Sequence, residues 1–214
     1  YTTLFRSLPF KFLPERIEFK NHSSCSSNKE FVTQATEKLI ASGCAVEQRR
    51  EDVMVCSPLG VADNGNKLRL ILDMRYVNKH LAKLPFKMED IKTAVQIYER
   101  DDYLIVFDLK SGYHHIEMAS EHRKYLGFSW GGKYYVFTVL PFGCSAAPWC
   151  FTKVTRVLVR YWRASDIRCM MYLDDGSGGD KPKTRAIEMA HRMRQDLVRA
   201  GFLVNEEKSD FEPK

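Results

Sequence analysis

Apolar and polar positions follow two different periods along this chain, which predicts a protein that mixes helices and strands. In some segments apolar residues recur every three to four positions, the spacing that gives a helix one buried face. These segments are residues 28–43, 89–99, 148–163 and 182–201. Other segments are short runs of β-branched and aromatic residues bounded by Gly, Pro, Asn or Asp, as is typical of strands. They are residues 53–55, 67–73, 103–107, 125–137, 170–173 and 202–204.

The order of these segments predicts an α+β fold. From Leu104 onward the order is strand, inserted hairpin, helix, strand, turn, strand, helix and strand. With the insertion set aside, this is the β-α-β-β-α-β order of a ferredoxin-like sheet. Two helices would lie behind that sheet, and its other face would carry a group of acidic residues.

A glycine-rich segment within the insertion has the spacing of a phosphate-binding loop but predicts a hairpin. Residues 127–133 satisfy Gly-x-x-x-x-Gly-Lys, yet Tyr134 stands where such a loop has Ser or Thr. A phosphate-binding loop also opens a helix, whereas Lys133 leads into an alternating aromatic strand. Gly131 and Gly132 are therefore predicted to form a hairpin turn. The first strand of an earlier hairpin is predicted at 53–55 and the second at 67–73, with Asp-Asn-Gly at 63–65 as its turn signal.

Composition and charge narrow the class of protein. The chain has 214 residues, of which 44% are hydrophobic and 12% aromatic, enough for one large or two small domains. The net charge of +6 suits an anionic partner. No apolar run reaches the ~18 residues of a membrane span, and the first residues lack the plan of a signal peptide.

Cysteine usage and the chain ends add two expectations. The six cysteines include no Cys-x-x-Cys pair, which indicates reduced thiols and an intracellular location in the cytoplasm or nucleus. The chain starts at Tyr1 without an initiator Met and ends at Lys214 directly after a strand-like run. We therefore expect a segment of a longer polyprotein.

Three acidic residues at strand ends are the strongest candidates for chemistry. Asp108 ends the strand 103–107, and Asp174 and Asp175 follow the apolar run 170–173. Taken alone, Asp-Asp-Gly after a strand is usually a solvated turn. If two such strands end side by side, their carboxylates repel one another, and a bound divalent cation would neutralise that repulsion. Oxygen-only ligands select Mg²⁺ or Mn²⁺.

Four ordered motifs surround these acids. They are Asp-Leu-Lys-Ser-Gly-Tyr at 108–113, Leu-Pro-Phe-Gly at 140–143 with Ala-Pro at 147–148, Tyr-Leu-Asp-Asp at 172–175, and Gly-Phe at 201–202 with Lys-Ser at 208–209. In this order they resemble the palm motifs of reverse transcriptases, and residues 67–75 resemble the fingers hairpin of those enzymes. Leu-Pro-Phe-Gly and Tyr-Leu-Asp-Asp-Gly resemble retrotransposons, in particular the tyrosine-recombinase (DIRS-type) group, more than retroviruses.

The resemblance implies the fingers and palm of a right-hand polymerase, with the ferredoxin-like sheet as the palm. Residues 1–87 would form the N-terminal part of the fingers and 117–148 a fingers insertion. Residues 88–116 and 149–214 would form the two parts of the palm. A thumb and an RNase H domain would be absent from this chain and would lie elsewhere in the polyprotein.

The same resemblance implies RNA-directed DNA polymerase activity, in which a primer 3′-hydroxyl attacks the α-phosphate of a deoxynucleoside triphosphate. Asp108 and Asp174 would hold two Mg²⁺ ions, or Mn²⁺ in their place. Asp175 would be the third acid, and the Leu109 carbonyl an extra ligand. Lys208 would protonate the departing pyrophosphate, unless it is an ordinary surface lysine beside two glutamates.

Nucleotide contacts are implied for a second set of residues. Lys67 and Arg69 would bind the phosphates, unless they are ordinary exposed cations of the hairpin. Phe142 and Gly143 would approach the incoming nucleotide and the template, although Phe142 stands where retroviral enzymes carry Gln. Tyr113 would exclude the ribose 2′-hydroxyl, or would merely fill the sheet surface.

Contacts with an RNA or DNA template and its primer are expected from basic residues. The resemblance puts Arg75 near the template. Lys153, Arg156, Arg160 and Arg163 form a basic stripe opposite the apolar side of the helix 148–163. Such a stripe suits a phosphate backbone or a solvated helix face equally well.

Two other functions remain open from the sequence. One is a non-catalytic nucleic-acid-binding or assembly module that keeps a polymerase fold. The other is an RNA-dependent RNA polymerase, which shares the acids but disagrees at Tyr113.

The glycines after Asp175 and the adjacent pair His114 and His115 lead to two further expectations. The glycines that follow Asp175 weaken a strand, so the outer half of that hairpin is expected to be short or mobile. His114 and His115 would point to opposite faces of a strand and could not both reach one metal site, so we assign neither a role.

Overall fold

The computed structural model describes residues 6–65 and 67–214. The chain divides into two compact units, each built from two segments. The first unit extends to Leu84 and includes Ile116–Ala147, and the second comprises Pro85–His115 and Pro148–Lys214. The identification of these units as fingers and palm, and the boundaries expected from the sequence, stay predictions. Residues 1–5 of the predicted fingers and residue 66 lie outside the described residues.

The described residues contain ten strands and seven α-helices. The strands are β1 (Ile17–Glu18), β2 (Ala45–Gln48), β3 (Val55–Cys56), β4 (Leu59–Asp63), β5 (Leu68–Leu72), β6 (Tyr103–Asp108), β7 (Gly127–Trp130), β8 (Lys133–Phe137), β9 (Arg168–Tyr172) and β10 (Asp175–Asp180). The helices are α1 (Ser23–Ser27), α2 (Lys29–Ala41), α3 (Arg75–His80), α4 (Ile91–Ile97), α5 (Ser120–Arg123), α6 (Ala147–Arg163) and α7 (Lys183–Arg199). Two 3₁₀ turns occupy Arg50–Asp52 and Gly112–His115. No helix in this part of the chain is both long and apolar enough to cross a membrane.

A five-stranded sheet in the order β1-β3-β7-β8-β2 forms the framework of the first unit. Strands β7 and β8 form a hairpin whose two turn residues, Gly131 and Gly132, have φ angles of 60° and 77°. Positive φ at both positions is the requirement of a type I′ turn, which glycine meets without steric cost. The prediction of a hairpin at this place, and not a phosphate-binding loop, is confirmed.

The earlier hairpin of the first unit uses a different strand from the predicted one. Strand β5 pairs with β4, whereas β3 pairs with β1 and β7. The reason is the tight turn between β4 and β5, where Asp63 accepts a hydrogen bond from the Gly65 N–H and Asn64 accepts one from the Lys67 N–H. A turn closed this tightly pairs the strand next to it, so the prediction that used residues 53–55 is wrong.

The second unit is a three-stranded antiparallel sheet in the order β6-β10-β9. Ile105 and Phe107 of β6 are buried, while Leu104 and Val106 are exposed, so one face of the sheet is covered and the other is open. Helix α7 packs on the covered face, and Trp162 of α6 contacts the Phe107 ring edge-on there. The predicted α+β order is confirmed from β6 to α7.

The last predicted strand, residues 202–204, does not form a continuous ladder. Val204 makes a single antiparallel bridge to Leu109, and Asp210 makes another to Val106. These bridges lie along the edge of β6 that β10 leaves free. The final segment thus follows β6 as a loop with isolated bridges.

The glycine-rich strand β10 is complete and central, contrary to the prediction of a short or mobile hairpin. All six of its residues pair with β6, and five of them also pair with β9. A Cβ atom on Gly176 would lie 2.1 Å from Phe107 Cζ, and one on Gly178 would lie 2.8 Å from the Met193 sulfur. The glycines therefore make room for neighbouring side chains, and that packing offsets their weak strand propensity.

An ion pair links the two outer strands at one end of the sheet in the second unit. The Arg168 guanidinium at the start of β9 donates two hydrogen bonds of 2.7 Å to the carboxylate of Asp102, which precedes β6. Two parallel bonds between planar groups form the strongest geometry of this kind of pair. Burial opposes ionisation of Asp102, but these bonds and one from the Glu99 N–H keep the pKa of Asp102 below its ordinary value.

Candidate active site

The acidic hairpin turn between β9 and β10 has an unusual backbone. Tyr172 and Asp175 are partners in the ladder, so Leu173 and Asp174 form a two-residue turn. Leu173 has a φ of 55°, a left-handed conformation that a bulky residue rarely adopts. A positive φ at only the first turn position matches a type II′ hairpin, where glycine is the usual residue. Strain of this kind is typical of functional sites.

The strand ladder brings the three predicted acids to one end of the sheet. Asp175 is the direct partner of Asp108 across the β6–β10 pair. Asp174 is fixed beside them, because its carbonyl oxygen accepts a 2.8 Å hydrogen bond from the Leu109 N–H. An open cleft on this face of the sheet is lined by Asp108, Asp175 and Lys208 together with further residues of β6, β9 and β10.

Asp108 is held by the loop that follows α7. Asn205 Nδ2 donates to Asp108 Oδ1 at 2.8 Å, and Lys208 Nζ donates to Oδ2 at 3.2 Å. The Asn205 N–H donates to the Asp108 carbonyl, and the Asp108 N–H donates to Ser209 Oγ. The Asp108 residue is only 8% exposed, so these contacts replace most of the water that its charge would otherwise bind.

The charges of the three acids act on one another. Burial, followed by the charges of Asp174 and Asp108, raises the pKa of Asp175 above its ordinary value, and Lys208 partly opposes that effect. Close carboxylates that disfavour ionisation in this way form a site that gains stability from a cation.

The oxygen atoms of these acids suit Mg²⁺ or Mn²⁺ in chemistry, although their side chains are not arranged around one point. In the described part of the chain, no three His, Cys, Asp or Glu side chains are grouped to hold a metal ion. Both oxygens of Asp108 are bonded instead to Asn205 and Lys208. A metal at this site would take the place of the Lys208 ammonium. Leu109 is buried, and the role of its carbonyl oxygen as a further metal ligand stays a prediction.

Tyr113 lies on the 3₁₀ turn Gly112–His115, and not on a strand surface. Its half-buried ring contacts Phe151 edge-on, with the ring centroids 5.6 Å apart. Gly112 fits between two neighbours, because a Cβ there would lie 3.2 Å from Asp174 Cβ and 3.2 Å from Phe151 Cζ. The expectation that His114 and His115 lie on a strand is wrong, since both are on this turn. His115 bonds to the backbone of its own unit.

The predicted phosphate-binding cations are in the first unit. Arg69 belongs to β5, and Lys67 lies in the turn just before that strand. Both residues are exposed. Their proposed role and the alternative of ordinary exposed cations both fit this placement.

The Leu-Pro-Phe-Gly loop is fastened by an asparagine that the sequence did not single out. Asn78 Nδ2 donates to the Gly143 carbonyl at 2.9 Å, and Asn78 Oδ1 accepts from the Ser145 N–H at 2.8 Å. Gly143 has a φ of 93°, and a Cβ there would lie 2.9 Å from the Leu72 carbonyl oxygen. Glycine is therefore required at this position, while the Phe142 side chain beside it is 49% exposed.

Arg75 is exposed but already paired. Its guanidinium donates to the Asp73 carboxylate at 2.6 to 3.0 Å, and His22 contacts the same carboxylate. The Arg75 hydrogen bond is the main cause that holds the pKa of Asp73 well below its usual range. Its expected template contact would therefore involve an arginine whose charge is largely balanced.

The four members of the basic stripe on α6 differ in their contacts. Arg163 donates to the Cys169 carbonyl at 2.7 and 3.0 Å and pairs with Glu89, so it joins α6 to β9. Its guanidinium is therefore already paired within the second unit. Arg156 donates to the Lys87 carbonyl.

The other two members of the stripe remain candidates for nucleic-acid contact. Lys153 lies over the Trp149 ring at 5.9 Å. Arg160 is exposed and, among the described residues, has no side-chain hydrogen bond or ion pair. The buried side of α6 carries Phe151, Val159 and Trp162, whereas Val157 and Tyr161 are 65% and 49% exposed.

Several residues that hold the site were missed by sequence reasoning. Asn205 and Ser209 contact Asp108, His115 fixes the Tyr113 turn, and Asn78 fixes the Gly143 loop. Only Ser209 carried a signal, because it belongs to the Lys-Ser pair of the fourth motif. The others depend on contacts between distant parts of the chain.

A family profile and individual relatives of this chain indicate the same protein family. The profile of the family described as reverse transcriptase (RNA-dependent DNA polymerase) matches residues 61–214. The Pol polyprotein of the Drosophila melanogaster transposon 412 is 29% identical over 166 residues, which are 75% of this chain and 13% of that polyprotein. The Pol polyprotein of the transposon gypsy from the same organism is 27% identical over 190 residues, 85% of this chain and 18% of that polyprotein. The chain thus spans less than a fifth of the length of either relative.

Solved structures share the fold. The prototype foamy virus protease-reverse transcriptase CSH mutant matches with a TM-score of 0.80 and 21% identity, over 96% of this chain and 27% of that one. The foamy viral protease-reverse transcriptase in complex with an RNA/DNA hybrid matches with a TM-score of 0.81, over 94% of this chain and 26% of that one. The predicted polymerase-type α+β fold is confirmed, while the DIRS-type subgroup stays a prediction. With a family profile that spans most of its length, the chain belongs to the reverse transcriptase family, and its relatives include retrotransposon polyproteins.

Proposed function

We propose that this chain provides the polymerase site of an RNA-directed DNA polymerase. The observation that carries the proposal is the meeting of Asp108, Asp174 and Asp175 at one end of an antiparallel sheet, beside a strained turn. Such a group of oxygen ligands suits nucleotidyl transfer with two divalent ions. Membership of the reverse transcriptase family supports the same reaction.

The acids would hold two Mg²⁺ ions, or Mn²⁺, through Asp108 and Asp174, with Asp175 and the Leu109 carbonyl as further ligands. When bound, these ions activate the primer 3′-hydroxyl and neutralise charge on the leaving pyrophosphate. Lys208 would leave Asp108 Oδ2, the atom that it contacts at 3.2 Å, and donate a proton to the pyrophosphate.

The substrates would be deoxynucleoside triphosphates and a primed RNA or DNA template. Lys67 and Arg69 would bind the phosphates, and the Phe142–Gly143 loop would meet the incoming nucleotide. The Tyr113 ring, supported by Phe151, would block a ribose 2′-hydroxyl. The foamy viral relative has a structure with an RNA/DNA hybrid, which supports this class of partner. The basic residues proposed for the nucleic-acid backbone are Arg75, Lys153, Arg156 and Arg160.

The setting would be a longer polyprotein with a thumb and an RNase H domain, because the relatives are named as polyproteins. All six cysteines lie in the described part of the chain and are reduced in the structure. Reduced thiols support an intracellular setting, in the cytoplasm or nucleus.

Primer extension on an RNA template with Mg²⁺ tests the proposal. Asp108→Asn or Asp174→Asn should abolish extension, because each change removes charge that the metal ions require, and Asp175→Asn should have a milder effect. Asp166→Asn is the matched control: this exposed residue has a φ of 56°, which Asn adopts readily, and it is outside the acidic site. Binding of Mn²⁺, followed by electron paramagnetic resonance, gives a readout that does not depend on turnover.

The outcomes separate the candidate functions. If the Asp108 and Asp174 variants extend a primer like the parent protein, the assignment of the metal site is wrong. A parent protein that binds a primed template but never extends it would favour the non-catalytic module. A parent protein that uses ribonucleotides and deoxynucleotides equally would favour RNA synthesis; Tyr113→Ala should otherwise raise ribonucleotide use, and Tyr113→Phe should not.

A further inference from the structure

The His115 side chain ties the turn that carries Tyr113 to the segment after α7. His115 closes the 3₁₀ turn Gly112–His115, and its Nδ1 lies 3.0 Å from the Gly112 carbonyl oxygen. Its Nε2 lies 2.9 Å from the backbone nitrogen of Leu203. Both ring nitrogens of His115 are therefore used within the second unit.

These two contacts define the protonation of the ring. The Leu203 N–H can only donate, so His115 Nε2 must be an acceptor without a proton. Nδ1 then carries the proton and donates it to the Gly112 carbonyl, which is the neutral Nδ1–H tautomer. An imidazolium ring would present two donors and would lose the bond to Leu203.

Two aromatic rings, those of Phe202 and Phe151, connect His115 to Tyr113 through the core. His115 packs against Phe202 with a centroid distance of 5.2 Å, and Phe202 contacts Phe151 at 6.1 Å. Phe151 in turn meets the Tyr113 ring at 5.6 Å. Phe151 and Phe202 are 0% and 6% exposed, so the middle of this cluster has little freedom to move.

We propose that His115 is the positioning residue for the sugar-discriminating Tyr113. The inference rests on the proposed polymerase function and concerns its choice between deoxyribonucleotides and ribonucleotides. His115 closes the turn at Gly112 and binds it to Leu203, and these bonds hold the Tyr113 ring in its edge-on contact with Phe151. Contacts in a hydrophobic pocket reject an added hydroxyl only weakly, so strong rejection requires a side chain that cannot move aside. Loosening the turn should therefore admit the 2′-hydroxyl while leaving deoxynucleotide chemistry nearly intact.

The test compares two substitutions at this position. His115→Phe keeps a ring against Phe202 but removes both hydrogen bonds. His115→Gln supplies an acceptor for the Leu203 N–H through Oε1 and retains a donor. His191→Phe, at an exposed position on α7, is the control for an added phenylalanine. The measured quantity is the ratio of kcat/KM for a deoxynucleotide to that for the matching ribonucleotide.

We expect His115→Phe to lower this ratio about tenfold, mainly through better use of the ribonucleotide. His115→Gln should return the ratio most of the way to that of the parent protein, and His191→Phe should leave it unchanged. Nitrogen-15 spectra of the parent protein should show His115 protonated at Nδ1 and unprotonated at Nε2. Thermal unfolding of each variant distinguishes loss of the fold from loss of selectivity.

The proposal and the function beneath it fail in different ways. An unchanged ratio in a folded His115→Phe protein, an equal loss for both sugars, or a ring protonated at Nε2 would overturn the role of His115. A parent protein that extends no primer would overturn the polymerase function and the sugar role together.

Discussion

Replacing Gly176 by alanine should destabilise the sheet that carries the acids, although alanine is the smallest possible addition. The new Cβ would lie 2.1 Å from Phe107 Cζ and less than 3 Å from both Cε atoms. Ordinary carbon contacts are about 3.5 to 4.0 Å, so ring and strand would have to separate by more than 1 Å. Phe107 cannot easily yield, since it is 2% exposed and lies between Trp162 and Phe211.

The size of the effect follows from two opposing contributions. Overpacking a dense core by one methyl group costs about 1–3 kcal/mol. Removing a glycine from the unfolded chain returns about 0.4–1 kcal/mol. We therefore expect Gly176→Ala to lower the free energy of unfolding by about 1–2 kcal/mol, which lowers Tm by about 2–8 °C for a chain of this size.

Urea and thermal unfolding, followed by circular dichroism, measure this difference. The diagnostic comparison is a double-mutant cycle with Phe107→Leu, because a smaller side chain makes room for the new methyl group. Gly176→Ala should cost about 1 kcal/mol less in that background. Gly201→Ala is the matched control: its φ of 84° makes alanine strained, yet no atom lies within 4 Å of the new Cβ.

The same cycle distinguishes a clash with the Phe107 ring from backbone strain. The control should lose stability through its backbone alone, and Phe107→Leu should not change that loss. If the Gly176→Ala protein is as stable as the parent protein, the Phe107 ring does not require glycine at position 176. The same conclusion holds if Gly176→Ala lowers the free energy of unfolding equally with and without Phe107→Leu.

Three further predictions concern charge and positioning. Asp102→Asn should lower the free energy of unfolding by about 1–3 kcal/mol at pH 7; because the pKa of Asp102 is depressed, this difference should shrink as pH falls below about 4, measured by urea denaturation across pH. Replacing Lys153 and Arg160 together by Gln should reduce the slope of log affinity for a primed template against log salt by about 1–2 units, whereas the paired Arg163→Gln should leave it unchanged; equal slopes in all proteins would exclude the phosphate role. Asn78→Asp keeps the acceptor for the Ser145 N–H but loses the donor to the Gly143 carbonyl. Steady-state kinetics should therefore show KM for the incoming nucleotide raised about 3- to 10-fold, and an unchanged KM would exclude a role of this loop in nucleotide binding.

The order of elements in the second unit could be predicted because its signals are local. Strand β6, the turn at Leu173–Asp174 and helix α7 are each encoded by a short run and its adjacent turn residues. The same locality explains the hairpin at Gly131–Gly132, where two positive φ angles need two glycines.

The errors arise where distant residues decide the outcome. Strand β10 looks weak in sequence, and only the rings and sulfur atoms packed on it explain its glycines. The true partner of β5 is β4, because the turn at residues 63–67 takes precedence over the apolar run at 53–55. Helix α6 turns its Phe151 side inward and leaves Val157 exposed, a rotation that periodicity alone does not define.

The site divides in the same way. Its acids are visible because strand ends and carboxylates coincide, and the family motifs name the rest of the predicted set. The residues that orient them are invisible in sequence, since Asn205 is 97 residues from Asp108 and His115 is 88 residues from Leu203. A single amide or imidazole carries no pattern that would connect such positions.

The interleaved path of the chain has a consequence for its synthesis on the ribosome. Strand β6 ends at Asp108, but its partner β10 begins only at Asp175, after the return of the chain to the first unit. At ~5–20 residues per second, those 67 residues take about 3 to 13 s to make. During that interval β6 has no ladder partner, while Leu104, Ile105, Val106 and Phe107 form an apolar strand with open edges. The nascent chain therefore passes through a stage in which the strand that ends at Asp108 is a substrate for chaperones or for misassociation, before that acid can acquire neighbours.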